Sequence, residues 1–192
     1  NKTGDRLGKT APGPATGDYL YATGTHQLAS VGGMPRTSDA DGNTTASSVG
    51  GESYAFSYND RNRLAAMQRD GSPAASYTYN ALGQRIGKVA TFPDAVDERF
   101  VYDEAGHLLA ESGTTQRDYV WLGDLPIALV DTSTDGGAPT STINYVTADH
   151  LGTPRAVTDA SGATLWEWAF KGNPFGEQAP VSATGYVLNL RY

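Results

Sequence analysis

Apolar and polar residues alternate along this chain in short runs, and each run breaks at a cluster of Asp, Asn and Gly. In the stretch Phe100 to Leu109, Phe100 and Tyr102 stand two residues apart and so share one strand face. Asp103 to Gly106 carry the residues of a tight reversal, and Leu108 and Leu109 start a return strand. Asp103 can hydrogen-bond its own downstream backbone, and Gly106 can take the positive φ that closes a four-residue loop built on a type I turn. The unit recurs at Tyr19 and Tyr21 with Gly24, at Phe56 and Tyr58 with Asn62, at Tyr77 and Tyr79 with Gly83, and at Tyr119 and Trp121. Asn62 replaces glycine with a residue that tolerates the left-handed region better than most. From Tyr58 on, the second aromatics recur about every 20 residues, a period that predicts supersecondary units stacked side by side. The expected class is all-β, an antiparallel hairpin-repeat sheet.

Other stretches extend or interrupt this pattern. Asn1 to Leu7 reads as the second half of an opening unit, and Ala11 to Gly17 as a Pro/Gly connector. Gly32 to Ser53 is rich in Gly, Ser, Thr, Asp and Asn, with almost nothing apolar but Met34 and Val49; it reads as a long loop or a weak hairpin. Further on, Gly152 closes the turn of Asp149 to Arg155, and Asp159 to Gly162 forms another. A last strand is expected over Tyr186 to Tyr192. Residues 1–192 thus read as one sheet segment that begins and ends in mid-architecture. Asn1 to Leu7 and Leu188 to Tyr192 are expected to pair with more of a parent protein or with another copy through exposed sheet edges.

Composition narrows the function. A net charge of −7 and a pI near 4.8 argue against nucleic acid, since phosphate binding needs a basic stripe and the Arg residues are scattered singly. The absence of cysteine excludes disulfides and thiolate metal sites. No apolar run approaches the roughly 20 residues that span a bilayer, so no membrane span is expected, and any export signal lies outside the chain.

Candidate chemistry is sparse. Asp39, Asp41 and Asn43 suggest a weak calcium site, but an EF-hand loop counted from Asp39 would place its glycine and its bidentate Glu on Thr44 and Gly50. A solvated turn is the simpler reading. The repeated aromatics read as cross-strand ladders. Trp166 and Trp168, beside Phe175, form a candidate aromatic binding patch. His26, His107 and His150 fall in turns or at turn edges, with no His-x-x-x-His pair and no carboxylate at ligand spacing, and are expected to be exposed or locally bonded; no Gly-x-Ser-x-Gly elbow accompanies Asp149-His150. Asn59, Asn80 and Asp103 belong to turns, while Arg63 and Arg85 are expected to bond a neighbouring turn or pack over an aromatic ring. No catalytic residue and no cofactor follow from these patterns.

The units resemble the YD-repeat or RHS (rearrangement hotspot) family, whose unit reads aromatic-x-Tyr-Asp-x-x-Gly-Arg-Leu. Three downstream stretches resemble the core-associated region that ends an RHS shell: Tyr119-Val-Trp-Leu-Gly-Asp-Leu-Pro-Ile, Asp149-His-Leu-Gly-Thr-Pro-Arg, and Asn173-Pro-Phe-Gly-Glu with Pro174 and Gly176. The resemblance implies a sheet spiralling into a hollow shell, as in the toxin-encasing subunit of bacterial Tc toxins, in type VI effectors and in teneurins. It implies a secreted or cell-surface bacterial protein whose partners are the rest of the parent chain and an enclosed toxin. The family's aspartyl self-cleavage segment would lie downstream of Tyr192, so no catalytic role transfers here. The alternative is a cell-surface module that binds glycan or protein through its aromatics.

Overall fold

A computed structural model describes residues 4–10, 15–113, 116–134, 137–169, 178–182 and 184–190. Among them every regular element is a strand, and within each unit the strands run antiparallel to their neighbours, which is the all-β hairpin architecture the alternation predicts. The chain divides into two compact units, Asn1–Asp97 and Glu98–Tyr192, where the sequence reads as one segment.

The first unit holds β1 (Gly8–Lys9), β2 (Gly17–Tyr21), β3 (Leu28–Val31), β4 (Met34–Ser38), β5 (Thr44–Val49), β6 (Glu52–Tyr58), β7 (Leu64–Arg69), β8 (Ser72–Tyr79) and β9 (Arg85–Ala90). Each strand pairs with the next in chain order. The long-loop reading of residues 32–53 is corrected: they carry β4 and β5, a regular hairpin. It lacks the aromatic pair of the other units, but Thr and Ser suit a pleated surface and the turn chemistry is complete.

That chemistry is one motif used six times. Asp39, Asn59, Asn80, Asp103, Asp149 and Asp159 each head a five-residue turn. In Asn80 to Gln84, the Asn80 main-chain N–H donates to the Gln84 carbonyl (3.0 Å) and the Gly83 N–H to the Asn80 carbonyl (3.0 Å). The Asn80 Oδ1 accepts from the N–H groups of Leu82 and Gln84, both at 3.0 Å. The fourth residue always has positive φ, from 56° at Asn62 to 95° at Gly106. Pairing shifts register beside each of these turns, for instance between Ser57 and Tyr58. At the other end of the strands, Gly32-Gly33, Gly50-Gly51 and Asp70-Gly71 close two-residue hairpins with positive φ at both positions, the type I′ geometry that matches strand twist.

Strands of neighbouring units are tied by the second aromatic. The hydroxyls of Tyr21, Tyr58 and Tyr79 donate to the carbonyls of Arg6 (2.9 Å), Thr44 (2.8 Å) and Leu64 (2.8 Å). Thr44 and Leu64 are the first residues past the preceding turn, and Arg6 follows Gly4, itself at positive φ, as half of an opening unit would. Trp121 makes the same tie with its indole N–H, which donates to the Leu108 carbonyl at 2.9 Å.

Replacing Gly106 with Val should therefore cost at least about 1 kcal/mol through the left-handed backbone alone. Tyr79→Phe should cost about 1 kcal/mol by leaving the Leu64 carbonyl without its donor. Urea unfolding of both variants against the parent chain measures these losses.

Candidate functional site

The second unit contains β10 (Val96–Tyr102), which starts at the unit boundary, then β11 (Leu108–Ser112), β12 (Gln116–Leu122), β13 (Leu125–Ser133), β14 (Thr140–Ala148), β15 (Pro154–Thr158) and β16 (Thr164–Glu167). Register places Phe100, Glu111, Arg117, Asp131 and Thr142 opposite one another in a row across five strands. Tyr119, Leu129 and Asn144 form the next row on the same face, and Val146, Val157 and Trp166 continue it. This face is mostly apolar apart from its charged row and Asn144. Its buried cluster comprises Phe100, Leu108, Tyr119, Leu129, Val157, Trp166, Leu188 and Leu190.

Leu188 and Leu190 come from the segment 184–190, which packs against this face outside any strand. The strand expected over Tyr186 to Tyr192 does not form within the described residues, which end at Leu190. Side chains anchor the segment instead. Leu188 is fully buried, and Arg117 donates from Nη1 to the Val187 carbonyl at 2.7 Å. Asn189 Nδ2 donates to Glu111 Oε2 at 2.9 Å, and the Tyr186 hydroxyl donates to Asp131 Oδ2.

The charged row is self-satisfying. Arg117 Nε donates to Asp131 Oδ1, while its Nη1 lies 3.5 Å from Glu111 Oε1. Tyr119 Oη donates to Glu111 Oε1 at 2.9 Å and Asn144 Nδ2 to Asp131 Oδ2 at 2.7 Å. The Arg117 guanidinium also lies 4.7 Å from the centre of the Tyr186 ring. Burial works against the Arg117 charge, but the bond to Asp131 and the surrounding charges outweigh it and raise its pKa. Burial first, then the neighbouring carboxylate, pushes the Tyr119 phenol up; burial and the bond to Asp131 do the same to Tyr186. Both phenols stay neutral donors. The arrangement seats a polypeptide segment: a guanidinium for a main-chain carbonyl, carboxylates for amide and phenol donors, and an apolar bed for two leucines.

The sequence signal for this seat was the parity of Arg117 with Tyr119, which puts a charge on the buried face. The candidate residues singled out by aromatic content do not form an open patch. Trp166 is 1% exposed and belongs to the core, which corrects its reading as part of a binding patch: a ring packed beside Val157 and Leu188 has no face left for a ligand. Trp168 is half-buried, its indole N–H donates to the Gln178 carbonyl at 2.7 Å, and Arg155 lies 5.2 Å from its ring centre. Pro174, Phe175 and Gly176 lie outside the described residues. Asp39 accepts hydrogen bonds from the main-chain N–H groups of Asp41 and Asn43 and from the Asn43 side chain, the last holding its carboxyl below the ordinary value; these are a turn's bonds.

Two histidines are bonded to carboxylates. His26 Nδ1 is 2.9 Å from Asp5 Oδ1, and His107 lies between Asp103 and Asp124. Asp103 shares the His107 turn, whereas Asp5 and Asp124 come from 21 and 17 residues away and are brought near by sheet pairing. His150 is exposed on its turn. Arg63 reaches the next turn, where a Cβ on Gly83 would meet its guanidinium at 3.1 Å, and Arg85 lies 5.9 Å from the Tyr77 ring centre.

No family model and no curated protein matches the sequence. Among solved structures, the chain is similar to one described as TcdB2-TccC3-Cdc42, with a TM-score of 0.34 and 13% identity over 68% of this chain. A structure of TcdB2-TccC3-TEV gives 0.33 and 13% over 67%, and one of TcdB2-TccC3 without its hypervariable C-terminal region gives 0.32 and 15% over 68%. The chain spans 9% of the length of each. These similarities are slight, and the functional reading rests on the chain's own residues.

Arg117→Met should destabilise the second unit by about 3–5 kcal/mol, because Glu111 and Asp131 would remain on the buried face without their counter-charge. Leu188→Ala should cost about 2–5 kcal/mol by opening a cavity under the segment. The exposed Leu20→Ala should stay within about 0.5 kcal/mol, and denaturant midpoints of the three variants make the comparison.

Proposed function

We propose that this chain is a wall segment of an RHS-type β-shell that encloses a polypeptide cargo, and that its work is structural. The observation that carries this reading is the recurring five-residue turn, tied at Tyr58 and Tyr79 to the unit before, in a meander whose strands cover one another's edges. A wall needs such continuous main-chain pairing. The residues that make it are those of the YD-repeat pattern, spread along both units and not gathered at one place. The seat for residues 184–190 adds that one sheet face can hold a polypeptide segment by its backbone and side chains.

On this reading the partners are the remainder of the parent protein, an enclosed toxin and, at an uncovered sheet edge, another copy. The protein is bacterial and acts after export, outside the cell or at its surface. Catalysis belongs to other parts of the parent chain. The glycan-binding alternative loses its main platform with Trp166 in the core.

Limited proteolysis of the full-length parent protein tests the proposal. Cargo following this chain should survive in the native protein and be digested once urea unfolds the wall. Cargo cut in the native protein as fast as the same polypeptide alone would overturn the reading.

A further inference from the structure

Two turns at one end of the second unit's sheet meet across an imidazole. The turn at residues 103–107 joins β10 to β11, and Gly123-Asp124 joins β12 to β13. His107 closes the first of them, its main-chain N–H donating to Asp103 Oδ1 at 2.8 Å. Its ring stacks on Trp121, with centroids 4.6 Å apart and planes 28° from parallel. Trp121 is itself fixed by its bond to the Leu108 carbonyl, so the imidazole rests on an anchored platform.

Each ring nitrogen faces a carboxylate. Nδ1 is 2.9 Å from Asp103 Oδ2 and Nε2 is 2.9 Å from Asp124 Oδ1. An ionised carboxylate only accepts, and a neutral imidazole has a single N–H. Both contacts are therefore hydrogen bonds only when the ring carries two protons. We propose that His107 is a proton-operated clasp: as imidazolium it bridges Asp103 and Asp124 and locks the two turns together, and as neutral imidazole it keeps Asp103 and releases Asp124. Asp103 is the partner retained because it sits in the histidine's own turn, whereas the Asp124 side chain is 97% exposed and is held by nothing as close.

The charges around the ring support this order. Hydrogen bonds to Asp103 first, and to Asp124 second, raise the His107 pKa above its ordinary 6.5, and the same contact holds Asp103 below its ordinary value. Glu104 is exposed within the same turn. The turn on the far side, whose Gly152 lies beside the Asp124 carbonyl, carries Asp149, which pairs with Arg155 at 2.8 Å, and His150. A raised histidine pKa makes the clasp's stabilisation complete below about pH 6.5 and lost as pH rises through the raised value. The lowered Asp103 pKa preserves its side of the clasp until pH falls well below the ordinary carboxylate range.

Imidazole nitrogen NMR on the whole chain tests the clasp. The His107 midpoint should lie above the ordinary histidine value of 6.5, and Asp124→Asn should lower it while the Nδ1 proton stays bonded to Asp103. Amide exchange at Gly123 to Leu125, corrected for intrinsic base catalysis, should quicken as pH crosses the His107 midpoint, and His107→Gln should abolish that step. A His107 midpoint no higher than 6.5, one that Asp124→Asn leaves unmoved, or a step that persists in His107→Gln overturns the proposal.

Discussion

The structure depends on one side-chain oxygen at the head of each five-residue turn. By accepting the main-chain N–H groups two and four residues on, as Asn59, Asn80, Asp149 and Asp159 all do, it satisfies donors that no strand can reach. It also fixes where the hairpin reverses. Because a one-residue slip would turn every side chain to the other face, a fixed reversal sets the whole register. Only then does the second aromatic reach the carbonyl just past the preceding turn, and only then do like residues of successive units align. The turn at residues 22–27 shows the rule by exception: Ala22 has no side-chain oxygen, Thr25 Oγ1 takes over one acceptor role, and the loop grows by a residue.

In the second unit the same register performs a different task. It lines up Glu111, Arg117 and Asp131 on a face that is otherwise mostly apolar, where each charge alone would be costly to bury. Mutual pairing, two neutral phenols and two amides satisfy them, with one phenol, one amide and a main-chain carbonyl supplied by the segment 184–190. The leucines provide the apolar burial that holds the segment, while the ions and amides dictate where along the face it lies. Desolvated ion pairs contribute more to specificity of placement than to net stability.

The hairpin repeat was legible because its turn residues and aromatic pairs are local. Residues 32–53 misled because the aromatics are missing there, although Asp39, Gly42, Gly50 and Gly51 carry complete turn chemistry. Tyr186, Leu188 and Leu190 alternate as a strand would, and alternation cannot separate a paired strand from a segment held by its side chains. Trp166 looked available because an aromatic residue's exposure depends on which face the register gives it. The carboxylates around His107 lie 4 and 17 residues away, the second of them reachable only through sheet pairing.

Backbone amide exchange at the turns addresses the central claim most directly. If one side-chain oxygen organises each reversal, the N–H groups of Arg61, Arg63, Leu82, Gln84, Leu151, Thr153, Ser161 and Ala163 should exchange far more slowly than exposed amides, despite lying in turns at the protein surface. Exchange at the rates of unstructured peptide at these positions, with the strands between them protected, would contradict the account.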